Sequence, residues 1–148
     1  MDKGIYCLVL RNRPCTVSIG ILGQRSFAAG FYVYVGSAQG SGGLQRVVRH
    51  ISLARNHDRR PKWHIDYLLS NNSFALISVV CAITGQDLEC RLAGTLQGAP
   101  VPSFGCSDCA CHSHLFFYPS VPLDEISKAF LTLGLTPCIR TIIPSKQS

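Results

Sequence analysis

Apolar residues recur along this chain with two different periods, and the changes of period mark its elements. Residues 4–10 form an apolar, β-prone run closed by Arg11-Asn12-Arg13-Pro14, which predicts a first strand. Residues 15–20 predict a second, and Gly23 and Gly30 frame a loop or hairpin after it. Aromatic and β-branched residues fill 31–35. Period two there puts Tyr32 and Tyr34 on one face and Phe31, Val33 and Val35 on the other. Gly36 to Gly43 is a flexible, glycine-rich turn. The period then lengthens. Leu44, Val47, Val48 and Ile51 fall at i, i+3, i+4 and i+7, the buried stripe of a helix over 43–55. Arg46 and His50 share another face of it, with Arg49 beside them.

A polar loop runs to Pro61, and residues 63–69 predict a short helix ended by Asn71-Asn72. Residues 74–83 are apolar almost throughout, as in a strand that is central or buried on both faces. Thr84 and Asp87 suggest a helix start, with the helix continuing to about Leu96. Glu89 lies in its first turn and aligns with Leu92, Ala93 and Leu96. A carboxylate on an inward stripe is costly without a partner. Its bland explanation is a core-edge ion pair with an arginine. A cysteine-rich loop occupies 105–114, followed by a strand over 114–118, a helix over 122–133 and a last strand over 139–143. Asp124 and Glu125 sit favourably near the start of that helix. The order of elements implies an α+β domain.

Composition narrows the class. The 148 residues fit one domain, with a core over about 4–98 and a cysteine-rich extension over about 99–148. Hydrophobic residues make up 47% and charged residues 15%, which excludes disorder for most of the chain. No apolar run reaches the ~18 residues of a membrane span. The first residues lack a basic-then-apolar export pattern, so a cytoplasmic location without membrane association is expected. The net charge of +6 is concentrated: Arg46, Arg49, Arg55, Arg59, Arg60 and Lys62 crowd a window whose only acid is Asp58. Such a block suits a phosphate backbone, or is simply a solvated helix face and loop. Eight cysteines in a reducing compartment are thiols, metal ligands or core residues. Cys7 and Cys81, inside apolar runs, read as core.

Gly4-Ile5-Tyr6 on one strand, Tyr34-Val35-Gly36 ending another, Arg46-Val47-Val48-Arg49-His50 on the next helix and Glu89 on a later one resemble the GIY-YIG nuclease superfamily. A closer likeness runs over most of the chain. Tyr32 to Ala38, Arg49-His50, Trp63-His64-Ile65-Asp66-Tyr67-Leu68, Glu89-Cys90 and the cysteine loop through Leu115 resemble the prokaryotic domain of unknown function 123 family, described as GIY-YIG-like. The resemblance implies a small mixed or antiparallel sheet flanked by helices, with an extra N-terminal hairpin. It also implies metal-dependent hydrolysis of phosphodiesters in DNA, with RNA as an open alternative, in DNA repair or processing. Tyr6 would act as general base or relay, Tyr34 would hydrogen-bond in the site, and Arg46 would bind the scissile phosphate. His50 would assist proton transfer, and Glu89 would hold magnesium or manganese. Arg49, Arg55, Arg59, Arg60 and Lys62 would track the backbone. A repair glycosylase is the partner implied by fusions known in the family. The rival expectation is a nucleic-acid-binding module with a re-purposed site.

Two features depart from the superfamily. Residues 7–33 separate the tripeptides, enough for an extra strand pair, and Ser37 stands where a lysine often follows the second glycine. A tyrosine base also faces a pKa near 10. Arg46 and a metal would have to lower it. Cys106, Cys109, Cys111 and His114 have the ligand types for a tetrahedral zinc, or they form a reduced structural loop. Trp63 and Ile65 read as core; His64 and Asp66 face the active cleft or pair with arginines, and spacing assigns them no chemistry.

Overall fold

The computed structural model describes residues 1–105 and 112–143. Cys106, Cys109 and Cys111, three of the four residues considered for zinc, lie outside the described residues. The chain is an α+β fold built on a fully antiparallel six-stranded sheet. Its centre is β1 (Gly4–Asn12), flanked by β4 (Gly30–Ala38) and β5 (Phe74–Ile83). Outside β4 lie β7 (Leu115–Tyr118) and then the short β6 (Ala99–Pro100). Outside β5 lies β8 (Cys138–Thr141), the other edge. A separate hairpin of β2 (Cys15–Ser18) and β3 (Gln24–Phe27) fills the long connection from β1 to β4, as the extra hairpin was expected to do.

Helices cover both faces. Alternation along β1 sends Tyr6, Leu8 and Leu10 to one side, where α1 (Gln45–Asn56) and α2 (His64–Leu69) pack through Val47, Ile51, Ile65 and Leu68. Ile5, Cys7 and Val9 point to the other side. There α3 (Glu89–Thr95) and α4 (Leu123–Thr132) bring Leu92, Ile126 and Phe130. The faces expected for Tyr32 and Val33 are the faces found. Cys7 is core, as read from its apolar run, while Cys81 is half-buried at the edge of the core.

Two expectations need correction. On α1 the apolar stripe misplaces Val48, which is 40% exposed, while His50 is buried at 2% exposure. The strand over 74–83 is an inner strand buried on both faces, as expected, although β1 takes the centre. The third helix begins at Glu89, because Thr84 spends its hydroxyl accepting from the Gln86 N–H in a turn. Among the described residues, no helix is long and apolar enough to cross a membrane.

Candidate active site

The site gathers where β1 and β4 run side by side. Their register sets Tyr6 opposite Gly36 and Leu8 opposite Tyr34. A Cβ on Gly36 would overlap the Tyr6 ring, so the glycine makes room for the phenol. Tyr6 is 1% exposed and its hydroxyl lies 2.8 Å from His50 Nε2. Arg46, one helical turn before His50, donates to the same hydroxyl. The phenol oxygen therefore accepts from Arg46, which leaves the phenol proton to donate to His50.

Burial settles the protonation of this pair. It raises the Tyr6 pKa well above its ordinary value, and the nearby Tyr34 adds to the rise; Arg46 pulls down without prevailing. His50 is pushed down to about 3, first by burial and then by Arg46 and Arg49. Both groups are thus neutral near pH 7, with the proton on Tyr6. The condition that a tyrosine base demanded, a lowered pKa, is not met in the resting structure.

Above this sealed pair lies a cleft of about 480 Å³. Tyr34, Arg46, Lys62, His64, Glu89 and His114 reach its wall. Tyr6 and His50 do not line it. Ser37, at the end of β4, joins the two charged groups that matter most. Its carbonyl accepts from Arg46 Nη1 at 2.8 Å, and its N–H donates to the Glu89 carboxylate. Glu89 is held up to about 7, by burial first and by the charge of Asp87 second, with Arg46 opposing. Its closest ionisable contact is not the arginine expected for an ordinary ion pair. Glu89 Oε2 lies 3.5 Å from Nδ1 of His114. Burial lowers the pKa of His114, so this is a neutral imidazole beside a carboxyl poised near neutrality.

The basic block divides. Arg46, Arg49 and Lys62 converge on Trp63, each 5.0–5.1 Å from the ring centre. Arg49 Nε is buried there without a hydrogen-bond partner among the described residues. Arg55 instead bonds the Ile143 carbonyl at 3.2 Å, and Arg59 lies 3.8 Å from Asp58. Arg60 is exposed in the loop between α1 and α2. His64 lines the cleft and accepts from the Gly105 N–H at 2.8 Å. Asp66 is structural, its Oδ2 capping α2 through the Lys62 and Trp63 N–H groups at 2.8 and 3.0 Å.

The family model described as Domain of unknown function DUF123 matches residues 5–135. The chain belongs to the DUF123 family. No curated protein and no solved structure matches it. The DUF123 match spans every residue of the cleft described above.

Sequence reading missed three contributors in this DUF123 domain. Ser37 acts through its main chain, which leaves no side-chain signature. Trp63 gathers cations, a role that its place next to Lys62 hints at. His114, read as a zinc or loop residue, also faces Glu89, a contact that reading did not include.

Proposed function

We propose that the cleft binds a nucleic-acid backbone and hydrolyses one of its phosphodiesters, in the manner of GIY-YIG nucleases, with DNA as the polymer. One observation carries this reading: Arg46 and Glu89 meet across a single main-chain residue, Ser37, in a cleft whose lip is basic. An oriented cation beside a carboxylate is what charge neutralisation on a phosphate requires. The GIY-YIG organisation is supported by the pairing of Gly4-Ile5-Tyr6 with the strand that carries Tyr34-Val35-Gly36, and by the helices that follow with Arg46 and Glu89.

A divalent cation fits the donors present. Glu89 and Asp87 offer hard oxygens to one cleft, and their mutual repulsion is what such a cation relieves. Magnesium or manganese needs only one or two carboxylates. Among the described residues, no group of three or more His, Cys, Asp or Glu could hold a metal, so the ion would rely on water and substrate oxygens. When bound, it supplies Lewis-acid stabilisation of the phosphate and leaving oxygen.

The protein's own residues do the rest. Arg46 binds the scissile phosphate, and Tyr34 orients it by hydrogen bonding. His114, neutral and at the cleft wall, takes the proton of the attacking water. His64 uses Nδ1 to accept from Gly105, which puts its proton on Nε2 and makes it a donor to the substrate. Tyr6 keeps its proton and, with His50, fixes Arg46 from beneath. Lys62 and Arg49 hold the flanking backbone. A repair glycosylase that exposes damaged sites is the partner that suits this activity.

The sealed Tyr6–His50 pair favours a second reading, a binding module whose catalytic tyrosine has become structural. End-labelled branched, nicked and abasic DNA, with single-stranded RNA alongside, incubated with magnesium or manganese separates the two. Wild type is expected to cut a DNA substrate only with metal. Glu89→Gln should abolish cutting and keep affinity, and Tyr6→Phe should slow it. Salt-sensitive binding with no cutting of any substrate would select the module instead.

A further inference from the structure

Four free thiols occur among the described residues, and only two of them face each other. Cys7 is fully buried and stands opposite Val35 and Val80; Cys15 stands opposite Phe27. Cys81 on β5 is the direct antiparallel partner of Cys138 on β8. Partners in such a ladder have Cα atoms about 4.5–5.5 Å apart, within the ~4.4–6.8 Å that a disulfide spans. Their side chains point to one face and already share a hydrogen bond. Cys81 is half-buried, whereas Cys138 is exposed.

The strand that carries Cys138 is an edge of the sheet, held on one side only. All four residues of β8 are exposed, and only β5 pairs with it. Beyond it, the Ile142 N–H donates to the Ile77 carbonyl and Arg55 reaches the Ile143 carbonyl. The same row of the sheet runs Gly36, Tyr6, Cys81, Cys138 across four strands. The thiol pair therefore begins one strand away from the tyrosine beneath the cleft.

We propose that Cys81 and Cys138 are a redox modification site, closed by a hydroperoxide into a reversible cross-strand disulfide that staples β8 to the sheet. Cys138 is the sulfur that a solvent-borne oxidant meets. Its thiolate attacks the peroxide oxygen, which forms a sulfenic acid and breaks the O–O bond to release hydroxide. The Cys81 thiolate then attacks the Cys138 sulfur, and the sulfenic oxygen leaves as hydroxide. Two thiols lose two electrons in total, and the peroxide takes both. A dithiol reductant reverses the bond by exchange. This inference is independent of what the cleft binds.

The test treats the folded full chain with hydrogen peroxide, blocks remaining thiols with iodoacetamide and digests it with trypsin. Cys81 falls in peptide 63–91 and Cys138 in peptide 129–140. The expected product joins the two, lighter by two hydrogens for the new bond, with fragment ions that place it on Cys81 and not on Cys90, which is disulfide-bonded before peroxide is added. Dithiothreitol should release it. Cys138→Ser, at an exposed position, should fold and fail to form it. Hydrogen exchange of β8 amides should slow in the oxidised wild type. Full alkylation of both thiols after peroxide, or Cys138 recovered only as sulfinic or sulfonic acid, would overturn the proposal. So would a link from Cys138 to any other cysteine.

Discussion

Glu89 makes the clearest claim that a single residue can carry here. Its carboxyl is held up to about 7 by burial and by Asp87, against an ordinary value of 4.5. Between those values the folded chain binds more proton than the unfolded one. The stability this group lends is complete below about 4.5 and is lost as pH rises through about 7. Urea unfolding should therefore show Glu89→Gln more stable than wild type at pH 8, with the gap closing near pH 4.5. An equal gap at both pH values would refute the burial argument. His50 works in the opposite sense. Its value is pushed from 6.5 to about 3, so its share of stability is present above 6.5 and is lost as pH falls toward 3. Tyr6, Tyr34, Arg46 and Glu89 were legible in the sequence because their order and spacing carry them, and Tyr34, Arg46 and Glu89 do meet in one cleft. His50 does share the face of Arg46 and reach Tyr6, but its burial was not legible. Periodicity counts apolar residues and does not see a histidine made compatible with burial by a phenol bonded to it.

Among the elements, α2 shows how little chain is needed to position the cleft. The helix has six residues, too few to be stable alone. Asp66, 5% exposed, accepts the Lys62 and Trp63 N–H groups and ties its start. Asp66→Ala should cost about 1–2 kcal/mol in urea unfolding. It should also loosen Trp63 and the three cations around it. A change under a few tenths would mean that packing of Ile65 and Leu68 holds the helix without its cap. The strands were read well because β1, β4 and β5 are rich in apolar and β-branched residues. The order of the sheet was not legible, since a run buried on both faces looks the same in the centre as one place from the edge. The late start of α3 also escaped, because Thr84 resembles a cap but spends its hydroxyl on the Gln86 N–H.

Across the whole molecule, charge is sorted by position as well as amount. A window of like-charged residues reads as one patch in the sequence. The fold sends Arg46, Arg49 and Lys62 to Trp63, and Arg55 to the far carbonyl of Ile143. If a polyanion follows the cleft, Lys62→Ala should lower the slope of log affinity against log salt by about one, and Arg55→Ala should leave it nearly unchanged. Fluorescence anisotropy of a labelled duplex over a salt series measures both. Equal losses would show that the polymer runs over the far end of α1 instead.

The bridge between Arg46 and Glu89 is made of main chain, and that has a consequence for how the site tolerates change. Nineteen residue types carry the N–H and carbonyl that position 37 supplies, and proline alone lacks the N–H. A survey that truncates side chains one at a time would pass over this position as silent. Any of those residue types could stand there while the cation and the carboxylate keep their distance, so the joint of the cleft is held by a position whose side-chain identity does not matter to it.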